Sequence, residues 1–366
     1  MNVVKWIKIW FVLILVIPLI GIFNYIVDPY GFNQLLIIDK FNSIKESNAG
    51  FTIKYKMPQL VKHEWPNLML GSSKIGVVDN HIVKKYLGGK TFNMDQPTPV
   101  MPIQYDAFMY AVHYNDVKSL VFAVDFLSFN KNLKLNRDYV ELKEKVRSFE
   151  RFSNIDLYLN TDTLKKSIQV IQKNRSGTTK KKLRFHPNGM REYANYIEAF
   201  EEGRFDQQKI MNKHLKLYFE PNKGIYSNYE YSEDFMALVK KIVNYCKIND
   251  INLYVYISPL YVKHFHAIKE YELLDEFERF KRDLVKITDY MDFTGANSIT
   301  NNKNNYWDSS HLKVDKTEIV MAKLFQDPNF KEYKDFGVFV TPKSIETHLK
   351  KQREQYKKIN LDKILN

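Results

Sequence analysis

Four short apolar runs, spaced along the chain and separated by polar or helix-patterned stretches, constrain the fold more than any other feature. They are Asn67–Leu70, Ser119–Val124 ("SLVFAV"), Ile251–Ile257 ("INLYVYI") and Tyr290–Phe293 ("YMDF"). Runs of this length, bounded by polar residues, read as buried strands. Before the third run, "SEDFMALVKKIVNYCKI" sets Phe235, Leu238, Val239, Ile242 and Val243 on one helical stripe. Before the fourth, "YELLDEFERFKRDLVKI" does the same with Leu273, Phe277, Phe280 and Leu284. Strand-helix alternation predicts an α/β fold with a parallel sheet covered on both faces. The order fits one doubly wound domain, with its ligand site at the carboxyl ends of the strands. A chain of 366 residues is long enough for such a core.

The N-terminal segment carries a second expectation. Ile9–Val27, "IWFVLILVIPLIGIFNYIV", contains no charged residue. As a helix it spans roughly 28 Å at about 1.5 Å per residue, close to the thickness of a bilayer's hydrocarbon core. Lys5 and Lys8 precede it, and the positive-inside rule then predicts a single-pass signal-anchor with a cytoplasmic N-terminus. A cleaved signal peptide is disfavoured, because the following "NYIVDPYGF" is bulky. The expected division is a tip and transmembrane helix over 1–30 and an extracytoplasmic α/β domain over 31–366. Within that domain a charged, partly helical insertion is expected around 131–230. Its basic tract, "KNRSGTTKKKLRFHPNGMRE", includes the Lys/Arg run at 180–184 and Arg191. The insertion reads as a cap over the site or as a solvated loop. The C-terminal 343–366 reads as a basic surface helix with a thin apolar face.

A net charge of +13 suits anionic partners such as envelope polymers, lipid headgroups or nucleic acid, or simply reflects a lysine-rich surface. Nucleic acid is not expected as a partner of an extracytoplasmic domain. Cys246 is the only cysteine and sits in a helical pattern, which excludes an intramolecular disulfide and suggests a buried core thiol. His264 and His266, in "HFH", lack a metal-site pattern, so no metal is expected.

The first apolar run ends in Gly71-Ser72-Ser73, "LMLGSSKI", which delivers a hydroxyl to the end of a strand. Near the other end, "NNYWDSSHLKVDKTEIVMAKLF" places Asp308 and His311 in a polar loop leading into a helical pattern from Lys316. In a serine triad, the imidazole takes the nucleophile's proton while the carboxylate fixes its tautomer and stabilises its cation. Each motif alone is common. Their placement, strand-turn at one end and loop-to-helix at the other, is compatible with one site.

These two blocks resemble the GDSL/SGNH hydrolase superfamily, most closely its membrane-anchored bacterial cell-envelope branch, the polysaccharide O-acetylation-type proteins. "VDPYGF", "TFNMDQPTP", "VFAVDFLSFN" and "YMDFTG" agree with that resemblance. It implies a flavodoxin-like three-layer α/β/α sandwich preceded by one transmembrane helix. It also implies Ser73 as nucleophile, His311 as base and Asp308 as orienting acid, with no cofactor.

The middle blocks depart from the family pattern. The family's oxyanion hole uses the nucleophile's N–H, a glycine N–H and an asparagine side chain. Here the second block offers Asn93, Asp95 and Gln96 without a glycine, and the third offers Asp125 where asparagine is expected. Losing one oxyanion donor typically costs on the order of 3 kcal/mol. Asn93, Gln96, Asp125 and Asn130 are therefore the candidates around the oxyanion, Asp125 also as an anchor for a loop or a lysine. The leading expectation is a membrane-tethered serine esterase or O-acyltransferase acting on acyl groups, chiefly acetyl, of a cell-envelope polysaccharide. Its partners would be that glycan or an acyl-donor protein, with the membrane reached through 9–27. The alternatives are a non-catalytic SGNH-fold assembly or glycan-binding component, and a lipase-like enzyme at a bilayer surface. Nothing in the sequence specifies an oligomeric state.

Overall fold

The computed structural model describes residues 3–48, 50, 52–97, 100–177 and 183–358. Thr98 and Pro99 of the second block, Lys180 to Lys182 of the basic tract and the terminal 359–366 lie outside the described residues. The chain divides into two compact units, one formed by Met1–His63 with Glu150–Ala199, the other by Glu64–Phe149 with Phe200–Asn366. The stretch expected as a single insertion over 131–230 thus contributes to both.

The second unit holds the sheet. Its strands are β1 (Asn67–Ser72), β2 (Thr91–Gln96), β3 (Ser119–Ala123), β4 (Asn252–Ile257), β5 (Tyr290–Asp292) and β6 (Val338–Val340). They lie in the order β2-β1-β3-β4-β5-β6. β1 to β5 pair in parallel, in one of the common doubly wound orders. β6 runs antiparallel to β5, so the sheet is mixed and not wholly parallel as expected. Each of the four expected runs coincides with a strand to within one residue at either end, apart from β1, which continues to Ser72. β2 escaped that reading because four of the six residues of "TFNMDQ" are polar, yet it is buried throughout. Asn93 makes this tolerable by donating to Ile75 O at 3.1 Å and accepting from Asp95 N at 3.0 Å.

The helix Glu233–Ile248 is capped by Ser232, whose side chain accepts from Phe235 N. It buries Met236, Val239, Ile242 and Cys246. Burial pushes the Cys246 thiol up to about 12, which leaves it an inert core group. The helix Leu274–Val285 buries Phe277, Phe280 and Leu284, and also a charge, Lys281. Lys281 Nζ and His348 Nε2 each lie 2.8 Å from Asp292 Oδ2 at the end of β5. Gln352 also bonds Lys281, and Arg353 pairs with Glu278. The helix Ile345–Lys358, expected to be solvated, is therefore docked by a buried polar network that its thin apolar face does not announce.

The first unit contains the helix Val3–Val27, with Pro18 inside it. No helix among the described residues is long and apolar enough to cross a membrane. The expected transmembrane helix at 9–27 is corrected on that finding. The last turns of the segment are occupied by protein: Asn24 and Val27 are fully buried. Asn24 Nδ2 donates to Tyr158 O at 2.6 Å, and Ser167 Oγ donates to Asn24 Oδ1 at 2.8 Å. Earlier in the run the side chains of Phe11, Ile14, Leu19 and Ile22 are exposed, so among the described residues protein contact is confined to its end. "VDPYGF" has a structural explanation. The buried Asp28 carboxylate accepts from the N–H groups of Phe32, Asn33 and Gln34 at 2.8, 3.1 and 2.8 Å. Tyr55 Oη donates to Gly31 O at 3.0 Å, and Phe32 packs with Tyr30, Tyr55, Tyr158 and Phe185.

Candidate active site

Ser73 leaves β1 at the carboxyl end of the sheet, where β1 lies between β2 and β3. This is the switch point at which doubly wound sheets bind ligands. Gly71 makes the approach possible. A Cβ there would lie 2.7 Å from Ala123 O and 2.9 Å from Ala123 Cβ, so no larger residue lets β1 and β3 close at this point. Ser73 then opens a short turn into the 3₁₀ segment Ile75–Val77.

Asp308 and His311 arrive on the loop between Lys303–Asn305 and the helix Thr317–Leu324. A bridge between Tyr306 and Leu312, and Trp307 N donating to His311 O at 2.9 Å, pinch the loop. The Asp308 carboxylate organises it from within, accepting from Ser310 N at 2.9 Å and His311 N at 3.0 Å. The same carboxylate meets the imidazole, with His311 Nδ1 2.8 Å from Asp308 Oδ2. His311 Nε2 lies 2.8 Å from Ser73 Oγ. With Nδ1–H donating to the carboxylate, Nε2 is left to accept the serine proton. Burial opposes the charge on Asp308, but His311 and His214, with the backbone bond from Ser310, overcome it and hold the carboxyl well below its ordinary value. Asp308 is thus an anion facing an imidazole.

The sequence reading missed His214 and Ser309. His214, on the helix Gln207–Phe219, places Nδ1 3.3 Å from Asp308 Oδ1 and 2.8 Å from Ser309 Oγ. His264 Nδ1 lies 3.3 Å from the same hydroxyl. Burial lowers His214 to about 4 against the pull of Asp308, with the charges of His311 and Lys74 adding to it. His264, wholly buried among Tyr218, Phe219 and Tyr226, is held well below its ordinary value chiefly by burial. Two neutral imidazoles therefore stand behind the His311–Asp308 pair. His214, Asp308 and His311 offer ligand atoms within 4.8 Å of one another. A cation entering there would compete with the bond between His311 and Asp308. Nothing local in "QQKIMNKHLKLYF" marks His214; only the fold brings it to the loop.

The structure sorts the oxyanion candidates. Asn93 spends its amide on Ile75 O and Asp95 N, as described above. Asn130 accepts from Asn132 N and Glu230 N at 3.1 and 3.2 Å and donates to Ile225 O, which ties two loops together. Neither amide is available to a ligand in this arrangement. Gln96, opposite Ser72 in register, is fully buried and donates to Met94 O at 3.3 Å. Asp125 accepts a hydrogen bond from Ser72 Oγ, and Lys74 Nζ lies 3.4 Å from its Oδ2. It anchors a lysine, one of the roles considered for it. No protein-family model and no curated protein sequence matches the chain.

Proposed function

We propose that the protein is a serine-dependent acyl-ester hydrolase or O-acyltransferase. The observation that carries this reading is the unbroken contact from Ser73 Oγ to His311 Nε2 and from His311 Nδ1 to Asp308, at 2.8 Å in each step. Ser73 Oγ attacks the ester carbonyl carbon as its proton passes to His311 Nε2. The imidazolium so formed is stabilised by Asp308. Collapse of the tetrahedral intermediate breaks the ester C–O bond, and His311 returns the proton to the departing alcohol. Water or an acceptor hydroxyl, deprotonated by His311, then attacks the acyl-serine and regenerates Ser73. The substrate class follows from the resemblance of the two blocks: acyl groups, chiefly acetyl, on polysaccharide hydroxyls.

One observation favours a second reading, a non-catalytic glycan-binding or assembly component. Asp125 stands where a donor to the oxyanion is expected, and a carboxylate donates nothing when ionised. Turnover separates the two. The purified chain should hydrolyse p-nitrophenyl acetate, and Ser73→Ala should not. Equal background rates for both would leave the binding role as the better account.

A further inference from the structure

We infer that Lys74 is a positioning residue for the reaction, paired with Asp125 in a clamp around the serine turn. The inference rests on the hydrolase reading given above. Ser73 is flanked on both sides by members of one closed cluster. Before it, Ser72 Oγ donates to Asp125 Oδ2 and accepts from Lys74 N at 3.1 Å. After it, the Lys74 ammonium reaches the same Asp125 oxygen at 3.4 Å. The turn is thereby held at its backbone and at both neighbouring side chains, so the Ser73 rotamer facing His311 rests on a fixed base.

The pair also settles a charge conflict. Side-chain exposure is 9% for Lys74 and 4% for Asp125, so water screens neither well. A lone buried carboxylate beside the nucleophile would oppose the negative charge that builds on the substrate oxygen during attack. With Lys74 in place that position is a neutral pair, and the loss of the family's asparagine is tolerated. Removing one partner leaves an uncompensated buried charge, which costs more than removing both. The charge of Lys74 also adds to burial in keeping His214 and His264 neutral.

The test is a double-mutant cycle on the full chain with Lys74→Met, Asp125→Asn, their combination and Lys74→Arg. Three readouts are taken: kcat and KM on p-nitrophenyl acetate, the rate of Ser73 labelling by a fluorophosphonate, and Tm. Lys74→Met is expected to lower kcat by about 100-fold with KM changed by no more than about twofold. Lys74→Arg should keep kcat within about tenfold of wild type, because the charge survives. The double variant should recover about tenfold or more over Lys74→Met. An active wild type whose Lys74→Met variant keeps its kcat, or whose double variant is no better than Lys74→Met, overturns the inference and leaves the hydrolase reading standing. If Lys74→Met fails to fold, the comparison of Lys74→Arg and the double variant with wild type decides. A wild type that neither turns over nor labels refutes the hydrolase reading, and the inference falls with it.

Discussion

His214 Nδ1 lies 3.3 Å from Asp308 Oδ1, on a carboxylate whose other oxygen is 2.8 Å from His311 Nδ1. One part-buried anion therefore serves two imidazoles, of which only His311 reaches Ser73. The arrangement ties the chemistry of the loop to its stability.

The depressed His214 gives a pH dependence with a definite sign. Burial holds it neutral in the fold down to about 4, whereas the unfolded chain protonates it at its ordinary value. Between these values the unfolded state binds more protons, so stability is full above the ordinary value and is lost as pH falls. Its share is about 2 kcal/mol between pH 7 and 5. Urea denaturation at those pH values should show His214→Gln losing less stability than wild type over the interval. Equal losses in both would contradict this assignment.

In the chemical step Asp308 should act through the His311 imidazole. Asp308→Asn keeps the shape but lets the imidazole take the wrong tautomer, and kcat should fall by about 10³- to 10⁴-fold. KM on a small acetyl ester should move little, because the carboxylate touches no substrate. Steady-state kinetics of the variant at pH 7.5 checks this.

Gly71→Ala places a methyl against Ala123 O, a backbone atom that cannot swing aside. The sheet must open between β1 and β3, with a loss of about 2 kcal/mol or more. Chemical denaturation measures the stability. Because the turn bearing Ser73 shifts with β1, turnover should fall even where the variant remains folded.

The buried Lys281–Asp292–His348 cluster makes a separate prediction, remote from the serine. Burial works against the charge on Asp292, but Lys281 and His348 prevail and hold its carboxyl below the ordinary value. Lys281→Met leaves that carboxylate with too little compensation, at a cost of about 3 to 5 kcal/mol. Limited proteolysis should then release the C-terminal helix first. An unchanged denaturation midpoint would show that the network does not hold it.

The parts of this molecule legible in its sequence are those with local causes. Short, largely apolar runs marked β1, β3, β4 and β5, because strands of a covered sheet need little else; β4 is exposed only at its start. β2 was hidden because Asn93, Asp95 and Gln96 are polar yet buried, Asn93 and Gln96 bonding chiefly to backbone groups. The positions of Ser73, Asp308 and His311 could be read because a strand end and a loop each carry a compact signature. His214, Ser309 and the Lys74–Asp125 pair could not, since their meaning lies in contacts across the fold. The N-terminal segment shows the reverse error. Its lack of charge read as a membrane span, while Asn24 and Val27 at its end pack into protein.

The most direct test of the central claim is fluorophosphonate labelling of the full chain, followed by peptide mass spectrometry. Wild type should carry one adduct, on Ser73, formed at least about 100-fold faster than in His311→Gln. Ser73→Ala should carry none. An unlabelled wild type, or an adduct that persists in Ser73→Ala, would contradict the assignment of Ser73 as the nucleophile.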